Sequence, residues 1–134
     1  MKRFNFDIFF NHNAEDLYLV QYMSQYLRDK SYTTFGRSVS ALPDRPEDAI
    51  SEDDALDSSM IVVDVITRNS ADDPSVQDLS ARALAASKPI IVMQFNDTPV
   101  PDPLKQCAII QATREDVCKA ADALATTIAA ALKQ

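Results

Sequence analysis

The chain holds one glycine, Gly36, in 134 residues. Loops that cradle a pyrophosphate need glycine where the backbone approaches the anion, and no glycine-rich loop exists here. A Rossmann or P-loop nucleotide site is therefore unsupported. Histidine is nearly as scarce, with His12 alone, and the two cysteines, Cys107 and Cys118, have no metal-ligand spacing. That leaves no pattern for a zinc site, and neither a metal nor a cofactor is expected. Two cysteines without a secretion signal are expected as free, buried thiols in a reducing compartment, which places the chain in the cytoplasm.

Long apolar runs are also missing. None approaches the roughly 20 residues that span a bilayer, so no membrane segment is expected. The start, "MKRFNFDIFF", carries two basic residues and a short apolar run, but no small-residue cleavage site, and Asp7 interrupts it. It reads as a first strand rather than a signal peptide. Bases are outnumbered, 13 against 20 acids, for a net charge of −7. A nucleic-acid interface needs a clustered basic face, so nucleic acid is not an expected partner. A small anion would need only one or two of the bases.

What is present suits one α/β domain over 1–134. Short runs rich in Ile, Val and Phe lie at Phe4–Phe10, Tyr32–Phe35, Met60–Ile66, Pro89–Phe95 and Cys107–Ile110. They read as strands buried on both faces. Helical spacing fills the gaps. Leu17, Val20, Met23 and Leu27 form one stripe, with Asn13 as N-cap and Asp16 three residues on as a variant capping box. A second helix is expected from Pro46 to about Ser58, and a third from Asp73-Pro74 through Ser87, with Val76, Leu79, Ala83 and Ala86 inward. The last follows Thr113, with Val117, Ala121, Leu124, Ile128 and Leu132 as its stripe. "NDTPVPDPLKQ" has three prolines in five residues, which predicts a loop with at most one short turn.

Alternating strands and helices predict a five-stranded parallel sheet with right-handed crossovers, flanked by helices as a three-layer unit. Ligands of such sheets bind beyond the carboxyl ends of the strands. The loops so placed are Asn11-His12-Asn13, Gly36–Arg45, Thr67–Asp73 and Asn96–Thr98.

The order and spacing resemble a TIR (Toll/interleukin-1 receptor) domain of the bacterial type, over essentially the whole chain. Phe6-Asp7-Ile8-Phe9-Phe10-Asn11 is similar to the family's first strand, Phe/Tyr-Asp-x-Phe-x-Ser. "MIVVDVITRNSADDPSVQDLSARALAASKPIIVM" resembles the block from the third strand through the Trp-Cys-x-x-Glu-Leu helix to the Lys-Pro before the fourth strand. The resemblance implies a flavodoxin-like topology. It also implies a signalling or interaction module that assembles with like or unlike TIR domains, in an innate-immune or anti-phage setting. The interaction loop would be Gly36–Asp44, with Leu42, Pro43 and Asp44 as its interaction residues.

Other members of the family cleave NAD⁺ or make signals from it, using the Glu of that helix. A carboxylate beside the ribose can stabilise oxocarbenium-like charge there. Counted back from Lys88-Pro89, the family's usual spacing puts this Glu at Leu79; one extra residue aligns Asp78-Leu79 with Glu-Leu instead. The resemblance then makes Asn11, His12 and Arg37 the ligand-binding residues of an alternative, NAD⁺-hydrolysing reading in which NAD⁺ is substrate. Asp is one methylene short, and a misplacement of about 1 Å can cost roughly a hundredfold. The motif's aromatic is missing, its Ser is Asn11, and the loop's Pro-Gly is Pro43-Asp44. Four departures on one edge argue for lost or altered cleavage.

The remaining polar residues read more plainly. His12 is expected to pair with a nearby backbone or carboxylate group, and Asn11 to line a cleft. The acids Glu47, Asp48, Glu52, Asp53, Asp54 and Asp57 lack calcium-loop spacing and suit a solvated, partner-facing helix. Asp64 lies where a receiver domain carries its phosphoacceptor, but the acidic pair after the first strand is absent. It is expected near the sheet edge or paired with Arg68 or His12.

Overall fold

The computed structural model describes residues 6–35 and 52–132. The expected start of the second helix at Pro46, the loop residues Arg37, Leu42, Pro43 and Asp44, and Gly36 lie outside them. The described elements are β1 (Phe6–Asn11), α1 (Leu17–Asp29), β2 (Thr34–Phe35), α2 (Glu52–Asp57), β3 (Ser59–Ile66), α3 (Pro74–Ala85), β4 (Ile90–Phe95), β5 (Ala108–Ala112) and α4 (Val117–Leu132). The five strands form one parallel sheet in the flavodoxin-like order β2-β1-β3-β4-β5.

The period of two along each strand divides the core into two layers. Ile8, Phe10, Ile61, Val63, Val65, Ile91, Met93 and Phe95 face α1 and α4, where Leu19, Val20, Met23, Leu27, Leu124 and Ile128 meet them. Phe9, Val62, Ile66, Ile90 and Val92 face the other way, onto Ala55 and Leu56 of α2 and Leu79 and Ala83 of α3. The proline-rich link has the expected form, one turn at Asp102–Leu104, and its Val100 and Leu104 close that second layer. Here β5 departs from the expectation of burial on both faces. As an edge strand covered only by α4, it leaves Ile109 39% exposed.

The helix ends explain how so little glycine suffices. Ser31 and Ser87 take the left-handed conformation just past α1 and α3, at φ 73° and 57°. Each closes a helix-terminating loop, with Tyr32 N donating to Leu27 O and Lys88 N to Ala83 O, both at 3.0 Å. Glycine usually fills this position because it has no Cβ to clash. The cysteines are free, but only Cys107 is partly buried; Cys118 is exposed, contrary to the expected burial. No helix among the described residues is long and apolar enough to cross a membrane.

Candidate functional site at the carboxyl edge of the sheet

β1 and β3 are the neighbours from which the chain winds in opposite directions, so their carboxyl ends flank the switch point of the sheet. Asn11 and Asp64 pair in register there. Both share the parity of Phe9 and Val62, which turns their side chains toward α3. Asn11 Nδ2 lies 2.8 Å from Asp64 Oδ1, 2.9 Å from Val76 O and 3.1 Å from Ser80 Oγ. Two amide protons serve two of these acceptors at a time. The Ser80 hydroxyl proton is left for Asp64 Oδ2 at 2.9 Å or Val76 O at 3.1 Å.

Asp64 is 0% exposed. Burial raises its carboxyl from the ordinary 3.8 to about 6, against the lowering effect of the bonds from Asn11 and Ser80. Asp64 thus stands at the carboxyl edge of the sheet, as expected, but its partners are Asn11 and Ser80 rather than Arg68 or His12. One polar atom of the network, Asn11 Oδ1, is buried without a hydrogen-bond partner.

A second cluster sits beside the first, around a carboxylate that is also 0% exposed. Asp16 Oδ2 accepts from Thr67 Oγ1 at 2.6 Å, and Oδ1 from Asn69 Nδ2 at 2.8 Å and Arg114 Nη2 at 3.2 Å. Asp16 thus spends its oxygens on the loops after β3 and β5. The expected capping box with Asn13 is replaced accordingly: the Asn13 side chain caps through Glu15 N at 2.8 Å, and its Nδ2 donates to Asp73 Oδ2 at 2.7 Å. Asp73 in turn caps α3 through Ser75 N at 2.9 Å. At the far helix Thr113 makes no side-chain cap; Asn96 Oδ1 accepts from Arg114 N instead, at 3.0 Å.

The structure brings Asn11 together with Asp64 and Ser80 but leaves Asp78 elsewhere. Val76 and Ser80 share one face of α3, and Asp78, two residues from each, lies about 200° around the helix from both. Its side chain is 64% exposed and ion-paired with Arg82 at 2.9 Å. His12 is buried, with Nδ1 2.9 Å from Asn13 O, the backbone pairing expected of it. Arg37, Leu42, Pro43 and Asp44 fall outside the described residues. Among the described residues no three His, Cys, Asp or Glu side chains converge as a metal site.

Ser80 and Arg114 were not singled out by sequence, Asp16 was read only as part of a capping box, and Thr67 and Asn69 only as members of the loop Thr67–Asp73. Two of them carried a legible signal. Asp16 continues the inward stripe of Val20, Met23 and Leu27, and Ser80 stands four residues after Val76. A polar residue on an apolar stripe must find partners in the interior.

The strand order, the parallel register and the two flanking layers define a doubly wound α/β protein with the TIR fold. Consistent with that, the structure is similar to the TIR domain of the Toll-related receptor TRR-2 from the lower metazoan Hydra magnipapillata. The TM-score is 0.65 at 17% identity, over 80% of this chain and 84% of that one. No protein-family model matches the chain, and no curated protein matches it in sequence. At that identity the likeness is one of fold.

Proposed function

We propose that this chain is a TIR-like signalling module, a single cytoplasmic domain that works by assembling with like or unlike TIR domains. An immune or anti-phage setting rests on the family resemblance alone. The observation that carries assembly over catalysis is the orientation of α3. Its inward face meets Asn11 and Asp64 with Val76 and Ser80, whereas Asp78 points to solvent and holds Arg82. A carboxylate that stabilises charge on a ribose has to stand at the ligand-facing edge, with its oxygens free for the substrate.

Light scattering on the purified protein across a concentration series tests this reading. Self-association is expected, and Leu42→Asp or Pro43→Ala should weaken it. A monomer throughout, with no binding to other TIR domains, would refute the proposal. Nicotinamide release from NAD⁺ that Asp78→Ala abolishes would replace it with the enzymatic reading.

A further inference from the structure

We propose that the cleft between the carboxyl ends of β3, β4 and β5 binds a small phosphomonoester whose remainder bears hydroxyl groups, such as a sugar phosphate. The cleft has a volume of about 590 Å³, and its polar lining is Thr67, Arg68, Asn69, Asn96, Thr98 and Arg114. Two of these are guanidinium groups, four are amides or hydroxyls, and none is an acid. In a chain of net charge −7 this is a local reversal of sign.

Three features make the lining a prepared surface. First, Arg114 is fixed before any ligand arrives. Its Nη2 donates to Asp16 at 3.2 Å and its Nη1 to Tyr18 OH at 2.7 Å, with the ring of Tyr18 5.9 Å from the guanidinium carbon. A guanidinium has five N–H donors, so protons remain for an oxyanion. The ordering cost of that side chain is already met within the fold.

Second, the carboxylate behind the lining is occupied. Asp16 is fully buried and its oxygens accept from Thr67, Asn69 and Arg114, so it holds the wall in place. With Asp16 counted, Arg68 and Arg114 still leave one net positive charge. Arg68 is exposed and makes no ion pair among the described residues. Asp97 and Glu115, next in sequence to Asn96 and Arg114, are solvent-exposed as Arg68 is, but neither lines the cleft.

Third, Asn96 is aimed. Asn96 and Asp97 have φ of 53° and 60°, two consecutive left-handed residues in a tight turn closed by Thr98 N to Phe95 O at 3.1 Å. Asn and Asp are the residues other than glycine that take this conformation most readily. In it, Asn96 Oδ1 takes the N–H of Arg114, which leaves Nδ2 as a donor without a protein acceptor among the described residues. The volume far exceeds that of inorganic phosphate and lies within the usual range of small-ligand sites. Beyond the arginines the donors and acceptors for hydroxyls are the Asn69 and Asn96 side-chain amides, since the hydroxyl protons of Thr67 and Thr98 go to Asp16 and to Phe95 O. The site uses neither Asp78 nor the loop Gly36–Asp44, and stands or falls independently of the assembly reading.

The test is an amide-resolved NMR titration of the full chain at low ionic strength, with ribose 5-phosphate, inorganic phosphate and ribose as probes. Ribose 5-phosphate should give saturable shifts confined to residues 67–69, 96–98 and 114, with inorganic phosphate weaker and ribose silent. Arg68→Gln should weaken binding by about tenfold or more, as expected for loss of a charged hydrogen bond. Lys105→Gln, which removes an exposed cation paired with Asp102 elsewhere, should leave binding unchanged. The spectrum of Arg68→Gln without ligand reports whether its fold is intact. No saturable shift up to about 10 mM ribose 5-phosphate, a range that covers even millimolar affinity, would overturn the proposal. So would equal binding by the folded Arg68→Gln protein, or inorganic phosphate binding as tightly as the sugar phosphate.

Discussion

Replacing Asp64 with Asn should stabilise the protein at neutral pH, although Asp64 makes two hydrogen bonds and lies at the centre of the sheet. Its carboxyl titrates at about 6 in the fold and at the ordinary 3.8 when exposed. The folded state therefore binds the proton more tightly than the unfolded chain. Stability is fully present below about 3.8, falls as pH rises to about 6, and stays at the lower level above that. The interval, at about 1.4 kcal/mol per pH unit, amounts to roughly 3 kcal/mol of burial cost borne at pH 7.

An amide in its place keeps the bonds. Its oxygen can accept from Asn11 Nδ2, its nitrogen can donate to Ser80 Oγ, and the Ser80 proton can turn to Val76 O, 3.1 Å away. Urea unfolding followed by far-UV circular dichroism is the assay, since the chain has no tryptophan to report by fluorescence. Asp64→Asn should gain up to roughly 3 kcal/mol at pH 7, near 10 °C in melting temperature for a domain of this size. It should match the parent near pH 4 and lose the parent's pH dependence between 4 and 6. A parent protein equally stable at pH 4 and 7, or an Asp64→Asn protein weaker than the parent at pH 7, would refute the reasoning.

Asn11→Ala removes a bond that lowers the Asp64 carboxyl. The pH-dependent loss of stability should therefore extend to higher pH, with roughly 2 kcal/mol lost at pH 5, where the stranded acceptors are buried. Asp16→Ala should cost roughly 2–3 kcal/mol, less than a fully buried pair because Arg114 can reach water, and the Thr67 and Arg114 amides should shift together in NMR spectra. Ser87→Gly, in the left-handed position after α3, should raise the urea midpoint by the equivalent of about 0.5–1 kcal/mol. Ser75→Gly in the exposed first turn of the same helix should lower it.

The strands and helices were legible because their signals are local. A short run rich in Ile and Val such as Met60–Ile66, broken only by Asp64, reads as a buried strand, and the stripe Leu17-Val20-Met23-Leu27 repeats with the helical turn, although it is Leu19 rather than Leu17 that the structure buries fully. Even the parity that sends Asp64 toward α3 is present in the sequence, once Val62 and Ile66 are known to face that way. Its partners were not legible. Asn11, Asp64 and Ser80 are separated by 53 and 16 residues, and nothing local requires β1 to lie against β3. The same holds for Asp16, whose position three residues after Asn13 suggests a capping box. Its oxygens go to Thr67, Asn69 and Arg114 because those loops reach the same edge of the sheet.

By itself, then, the sequence determined the α/β alternation, from which the parallel sheet follows, and the cap at Asn13 and the turn in the proline-rich link, which are set by neighbours a few residues away. The tertiary structure decided which polar side chains meet. It buried Asp64 at the switch point, set the Val76–Ser80 face of α3 against Asn11 and Asp64, and gathered Arg68, Asn96 and Arg114 around one cleft. Those outcomes depend on strand order and loop paths, which are fixed when the two layers of the core close on the sheet. No spacing along the chain encodes them.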